Sequence, residues 1–418
     1  MAARSSGVGS GTIRISTGRR VPRARPPRLA PAWQSLGVLE VEMALVAAGA
    51  ASLAAWAALF CSRLPAWHPR PDEEGDPSFS PSAPWPSVAV LVPARNEAAL
   101  LPCTLPSLLA QDYPGRWRVV LVDDRSSDGT GEVARAIDHP RLTVLAGSPL
   151  PVGWAGKVWA LEQARRATGM DYDYLLLTDA DIRHQPRSLR ALVRESEQAG
   201  LALNSRMARL RCRSLAERLL IPAFLYFFFL LYPPRLVNDP GRRAAAAAGG
   251  CVLVRRQALD QAGGFAAIRD RVIDDVGLAR AVKGCGGRIR LTLSQGEVTS
   301  LRAHDLASAW RMVRRTAFEQ LRFSWMLVAG TLAGLGLLFL LPPAEVGLAL
   351  ATEDGQAAAS LGALGGLAWI ASAASFRPAV RYFGLGPGWC LALPLAAALY
   401  AGMTVDSALR GSLGKGAW

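Results

Sequence analysis

Between residues 87 and 200 the chain alternates short apolar runs with longer stretches in which apolar residues return every three or four positions. The runs at 88–92, 118–122, 142–145 and 174–178 are too short for helices and show almost no polar face. That is the pattern of strands buried on both sides of a parallel sheet. Between and after them, helical periodicity predicts helices near 97–110, 129–137, 155–167 and 186–199. Strands alternating with helices imply an α/β domain built on a doubly wound parallel sheet with right-handed crossovers. Beyond residue 201 the alternation loosens into an Ala-rich stretch at 244–248 and short strands near 252–254 and 289–293.

A second pattern lies at the two ends of the chain. Residues 43–62, 323–344, 355–376 and 382–405 are runs of 20, 22, 22 and 24 residues without a charge. A helix needs about 20 apolar residues to cross a bilayer. One such run could be a buried core helix, but four together predict about four transmembrane helices. A fifth run, 219–234, is short for a span and reads as an interfacial apolar segment. The expected organisation is a disordered basic extension (1–38), a transmembrane anchor (39–63), a linker (64–86), an α/β domain (87–324) and a membrane region with about three spans (325–418). The extension has seven arginines in its first 28 residues and no acid before Glu40. Met43, at the start of the first apolar run, is an alternative start. A signal peptide is the rival reading of 1–62; the length of the run and the lack of a small-residue cleavage site favour a retained anchor.

Composition fits this division. The chain is 51% hydrophobic and 19% charged, and the apolar excess sits in the spans. The net charge of +14 does not predict nucleic-acid binding, because the arginines track the spans. Arg311, Arg314, Arg315 and Arg322 precede the second run, and Arg377 and Arg381 follow the third. The intervening loop is expected to carry Glu345, Glu353 and Asp354. Such a bias marks the cytoplasmic side and meets anionic membrane lipids. It predicts a cytoplasmic α/β domain in a multi-pass membrane protein. Six cysteines without Cys-x-x-Cys pairing and four histidines give neither a zinc site nor a disulfide framework.

Ligands of open α/β sheets bind just beyond the carboxyl ends of the strands. Three apolar runs end there in polar motifs: Pro93-Ala94-Arg95-Asn96-Glu97, Asp123-Asp124-Arg125-Ser126-Ser127-Asp128-Gly129-Thr130, and Asp179-Ala180-Asp181. Asp123, Asp124, Asp179 and Asp181 on one rim would repel each other unless a cation joined them, which predicts a metal and nucleotide site. Alternation along an extended segment places Asp179 and Asp181 on the same side, and such oxygens suit Mg²⁺ or Mn²⁺. Asp123 and Asp128 are also suited to shaping the turn. Lys157, after Gly156, stands at a helix N-terminus, where anions are favoured. Asp274 and Asp275 open a further helix.

These motifs, in this order over about 87–324, resemble family 2 glycosyltransferases with the GT-A fold. The membrane arrangement and the phrases Gly153-Trp154-Ala155-Gly156-Lys157, Ile273-Asp274-Asp275 and Gln320-Leu321-Arg322 resemble the hopene-associated glycosyltransferases of bacterial hopanoid gene clusters. The resemblance implies a Rossmann-like GT-A sheet and inverting transfer from a nucleotide-sugar donor, UDP-linked, to a lipid acceptor of polyprenyl or hopanoid type. It assigns Asp124 to the uracil N–H, with Pro93, Arg95, Glu97 and Asp123 lining the nucleotide pocket. Asp179 and Asp181 would hold the metal, and Asp179 and Lys157 would meet the donor. Asp275 would be the base, with Asp274 beside it. The glycines of Gly249-Gly250-Cys251 and Gly263-Gly264-Phe265 would serve backbone roles in an acceptor-side loop. Glu319-Gln320-Leu321-Arg322-Phe323 stands where processive members carry Gln-(Gln/Arg)-x-Arg-Trp. The departures, with only four spans, argue against polymer extrusion; Arg322 is either a diphosphate contact or a snorkelling anchor. A sugar-nucleotide pyrophosphorylase would need a Gly-rich basic loop after the first strand, which is lacking. A non-catalytic membrane scaffold would have lost acids that are all present.

Overall fold

The computed structural model describes residues 32–62, 84–296 and 298–413. The basic extension up to residue 31 and most of the 64–86 linker lie outside them. Helix α1 (Ala32–Ser62) starts before the end of the segment expected to be disordered, so residues 32–38 are helical. The α/β part then runs β1 (Val88–Ala94), α2 (Leu101–Leu109), β2 (Trp117–Asp123), α3 (Thr130–Arg135), β3 (Leu142–Ala146), α4 (Gly156–Thr168), β4 (Tyr174–Thr178), β5 (Ile182–His184) and α5 (Ser188–Ala199). It continues with β6 (Leu203–Met207), α6 (Leu215–Leu231), α7 (Pro234–Val237), β7 (Cys251–Arg255), α8 (Arg256–Gln261), α9 (Asp274–Gly284), β8 (Ile289–Leu293), β9 (Val298–Ser300) and α10 (Leu306–Gln320). Four more helices close the chain: α11 (Trp325–Leu335), α12 (Leu341–Ala351), α13 (Gly355–Tyr382) and α14 (Leu393–Ser412).

Seven strands form one sheet in the order β3-β2-β1-β4-β7-β6-β8, and β5 pairs with β9 in a small second sheet. Strands β3, β2, β1 and β4 are parallel, with Ala94 opposite Asp123 and Leu91 opposite Leu177. The loops after β1, β2 and β4 therefore leave the sheet along one rim. Alternate side chains serve two layers. Val88, Val90 and Val92 pack with Leu101, Leu105 and Leu192 on one face, and Ala89 and Leu91 with Val158 and Leu161 on the other. Full burial of such a side chain stabilises by about 1.5–3 kcal/mol.

The sheet is mixed, where a wholly parallel one was expected: β7 runs antiparallel to both β4 and β6. An apolar run such as Cys-Val-Leu-Val-Arg carries no information about direction. Strand β6 went unseen for another reason. Its Asn204, Ser205 and Arg206 are buried, and Glu195 of α5 receives Asn204 Nδ2 at 2.9 Å and Arg206 Nη2 at 3.2 Å. A strand buried through polar partners leaves no hydrophobic signature.

Glu40–Ser62, Trp325–Ala351, Gly355–Tyr382 and Pro387–Ser412 are long and apolar enough to cross a membrane. The expected interfacial run forms α6, opened by a capping box between Ser214 and Glu217. Its aromatic residues pack among the spans: Tyr226 bonds Ser375 at 2.7 Å, Phe227 meets Phe339 and Tyr400 edge to face, and Tyr400 donates to the Leu220 carbonyl. Glu345 departs from expectation: it lies within α12, is fully buried, and neither carboxylate oxygen has a hydrogen-bond partner. It is enclosed by glycines. A Cβ on Gly49 would come 2.5 Å from its Oε1, and one on Gly365 would come 2.7 Å from its Cβ.

Candidate active site

The rim begins where the Asp124 N–H donates to the Ala94 carbonyl at 2.8 Å, tying the ends of β1 and β2 together. Asn96 and Arg125 both hold the left-handed conformation, φ +56° and +54°. The two strained turns brace each other, Asn96 N–H donating to Ser126 Oγ and Ser127 N–H to Asn96 Oδ1, both at 2.9 Å. Strain of this kind persists where surrounding structure enforces it, commonly at functional sites. The turn absorbs two acids. Asp123 Oδ1 accepts the Ser126 N–H, and Asp128 accepts the N–H groups of Thr130 and Ala98. Asp124 has no such duty. Its carboxylate is only 5% exposed and lies 3.6 Å from Arg95 Nη1 and 3.7 Å from Arg125 Nε. Gly156 lets α4 approach it, since a Cβ there would stand 3.3 Å from Asp124 Oδ2.

Asp179-Ala180-Asp181 is a turn between β4 and β5, and the extended geometry expected of it does not hold. The Thr104 hydroxyl donates to the Ala180 carbonyl at 2.7 Å and the Ile182 N–H to the Asp179 carbonyl at 3.2 Å. The two carboxylates consequently meet different cations. Asp179 Oδ1 lies 2.7 Å from Lys157 Nζ. Asp181 Oδ2 lies 3.2 Å from Arg302 Nε and accepts the Ser300 hydroxyl at 2.9 Å. Arg302 also pairs with Glu97. Burial raises the Glu97 carboxyl above its ordinary range, against the pull of Arg302. The rim acids are thus neutralised by Arg95, Arg125, Lys157 and Arg302, so their mutual repulsion does not by itself require a metal.

Lys157 links this rim to the second acidic motif. Its Nζ is also 3.4 Å from Asp274 Oδ2. Burial would lower its pKa, but Asp179 and Asp274 outweigh it and the ammonium is held protonated. Asp275 Oδ2 accepts the Gly249 N–H and its Oδ1 the Val276 N–H, both at 2.7 Å. Burial and the neighbouring Asp274 push the Asp275 carboxyl up to about 7, with Lys157 opposing. Asp274 is likewise raised by burial. Gly249 packs closely here: a Cβ would stand 3.0 Å from Lys157 Nζ and 3.3 Å from Asp275 Oδ2. Pro93, Lys157, Asp179, Gly249, Asp274 and Asp275 line one enclosed cleft. Arg322 stands apart, exposed and with φ +54°, within electrostatic reach of Tyr232, which in turn senses Asp275.

Sequence reasoning missed Arg302 and His304, which arrive just after β9, about 120 residues beyond Asp181. No local motif marks them; their only signal was the scarcity of histidine. His304 is buried, its N–H donates to Glu217 Oε1 at 3.0 Å, and its Nδ1 has no partner. Burial and Arg302 lower its pKa, so the ring is neutral. No three acidic, histidine or cysteine side chains among the described residues form a ready-made metal cage. A cation bound with a diphosphate takes one or two carboxylates and completes its shell with phosphate oxygens and water. Asp181 and Asp179 could supply those one or two carboxylates, and the unpartnered His304 Nδ1 is a further buried acceptor on the segment that follows β9.

Residues 89–263 match the sequence profile of Glycosyl transferase family 2. An undecaprenyl-phosphate mannosyltransferase of Micrococcus luteus is 37% identical over 125 residues, 28% of this chain and 48% of that protein. An N-acetylglucosaminyltransferase of Mesorhizobium japonicum is 32% identical over 158 residues, 36% of this chain and 35% of its own length. The chain thus spans less than half the length of these curated relatives. Among solved structures, a Pyrobaculum calidifontis mannosyltransferase in complex with GDP-Man and Mn²⁺ superposes with a TM-score of 0.55 at 21% identity, covering 90% of this chain and 99% of that one. That likeness establishes the fold.

Proposed function

We propose that the chain, whose residues 89–263 match the Glycosyl transferase family 2 profile, is a membrane-bound, inverting glycosyltransferase. It moves a sugar from a UDP-linked donor to a lipid acceptor. The observation that carries this is the joining of the donor rim to a second acidic pair by Lys157, which touches both Asp179 and Asp274. A non-catalytic scaffold has no use for that construction.

Each side chain then has a task. Asp124, desolvated between Arg95 and Arg125, accepts the uracil imide N–H by a charge-assisted bond, with Pro93, Glu97 and Asp123 shaping the pocket. Asp181 and Asp179 would hold a Mg²⁺ or Mn²⁺ ion, with His304 beside them, and such an ion would supply charge stabilisation to a diphosphate leaving group. The Mn²⁺ reported with the Pyrobaculum enzyme is in keeping with this. Lys157 positions the sugar diphosphate against Asp179 and Asp274. Asp275, ionising near neutral pH, takes the proton from the acceptor hydroxyl as it attacks the anomeric carbon. Asp274 keeps Lys157 in place, and Arg322 offers a cation to the diphosphate at the mouth.

A lipid acceptor follows from α6 and α10, which bring the domain against the spans, and the relative named for undecaprenyl phosphate supports that class. Polyprenyl and hopanoid lipids both belong to it. The arginines flanking the spans support a cytoplasmic position for the domain, in a bacterial inner membrane. A panel of UDP-, GDP- and CDP-sugars with membrane lipid extract tests the reading. UDP-sugars should transfer, and Asp275→Asn should abolish transfer while leaving donor binding within about threefold. A preference for GDP-mannose would overturn the uracil assignment, and no turnover of any donor would overturn the enzyme.

A further inference from the structure

The helix that carries Asp274 and Asp275 is held by a turn of the chain at the threshold of the membrane. Glu319 and Gln320 end α10, immediately before Arg322 and Phe323, both left-handed at φ +54° and +56°, and the first residues of α11. Glu319 Oε1 accepts the Val272 N–H at 3.2 Å, and the Ile273 N–H also bonds to this carboxyl. Those amides belong to the two residues just ahead of Asp274. Gln320 Nε2 donates to the Tyr232 hydroxyl, which also receives Arg280 Nη2 at 3.4 Å. Arg280 lies on α9, little more than one turn beyond Asp275. Two consecutive residues of α10 thus grip α9 on both sides of the acidic pair.

We propose that Glu319 is a positioning residue for Asp275, which sets the catalytic helix from the membrane side; this rests on Asp275 being the base. Glu319 bonds to the backbone of Val272 and Ile273 rather than to Asp274 or Asp275. Its effect runs through the backbone of 272–273, whose placement fixes where α9 begins and so where the Asp275 carboxylate stands against Gly249 and Lys157. The requirement is for an accepting oxygen. Oε2 of Glu319 is buried and has no partner, so one oxygen does the work and a glutamine can supply it.

The test compares Glu319→Ala with Glu319→Gln in the full-length detergent-solubilised protein. Backbone amide exchange is read on peptides covering 268–280, and transfer of label from a UDP-[¹⁴C]hexose to a membrane lipid extract is read alongside. Losing an ordering hydrogen bond should speed exchange at 272–276 about tenfold in Glu319→Ala. Its kcat should fall about 10- to 100-fold, since small misplacements of catalytic groups are costly, with the donor KM unchanged within about twofold. Glu319→Gln should restore both readouts. Equal impairment of the two variants, unchanged exchange in Glu319→Ala, or unchanged kcat would each overturn the proposal. The base assignment fails separately: full transfer by Asp275→Asn would remove it while leaving the exchange result intact, because exchange makes no use of the chemistry.

Discussion

Replacing Lys157 by Gln removes the cation that holds two acidic motifs together, and the outcome is readable as a shift in pH dependence. Asp275 titrates near 7 because burial and Asp274 raise it while Lys157 pulls it down. The ammonium and the Asp275 carboxylate are close neighbours, since a Cβ on Gly249 would reach 3.0 Å from one and 3.3 Å from the other. At about 6 Å and an effective dielectric of about 20, one charge acting on another is worth about 3 kcal/mol, or about two pKa units. Lys157 is a quarter exposed, at 27%, so solvent trims this to roughly one or two units. The sign follows from the role proposed for Asp275. A base must be ionised, so activity rises as pH passes its pKa; without Lys157 that limb moves to about pH 8–9. The rate at pH 7 should fall about 5- to 50-fold and recover substantially at pH 9. The assay is kcat for transfer across pH 5.5–9.5 in both proteins, with donor KM recorded separately. An activity limb that stays near 7 in the variant would refute the electrostatic coupling.

Two further substitutions separate the donor functions. Asp181→Asn keeps the shape beside Ser300 and Arg302 but halves the carboxylate supply for a cation, so Mn²⁺ binding by titration should weaken by at least about tenfold, and turnover with it. EDTA-insensitive, near-normal turnover would contradict the metal assignment. Asp124→Ala should weaken UDP binding in calorimetry by about 1–3 kcal/mol, the cost of an unpaired buried base edge. Unchanged UDP affinity would remove Asp124 from nucleotide recognition.

The parts legible in the sequence were those written in local pattern. The strands β1, β2, β3 and β4 announce themselves as apolar runs, and the motifs that follow β1, β2 and β4 share one rim because the strands are parallel, with Ala94 opposite Asp123 and Leu91 opposite Leu177. The cleft residues Pro93, Lys157, Asp179, Asp274 and Asp275 do converge. What escaped was written in long-range pairing. Arg302 and His304 matter because β9 pairs with β5, placing Ser300 opposite Ile182 and so beside Asp181. Nothing near residue 302 encodes that register. Strand β6 escaped because Glu195 solvates its polar side chains from within the protein. The bend at Asp179–Asp181 escaped because a turn of two acids and an alanine looks, letter by letter, like the end of a strand.

The placement of Glu345 bears on how the chain is built into a bilayer. Alone, α12 would offer a carboxyl group to lipid, at a cost of about 2.5–3.5 kcal/mol on insertion scales for a charged residue at the centre of a span. In the folded protein that group is sealed by Gly49 of the preceding span and Gly365 of the following one. One neighbour is made some three hundred residues earlier and the other about twenty later. The middle span is therefore completed only when the first and third have closed on it, and the membrane region matures as an interlocked set. A shortened chain starting at the α/β domain would lack one wall of that enclosure and leave Glu345 open to the lipid. The segment before the catalytic domain thus acts as a component of the membrane region as well as a tether.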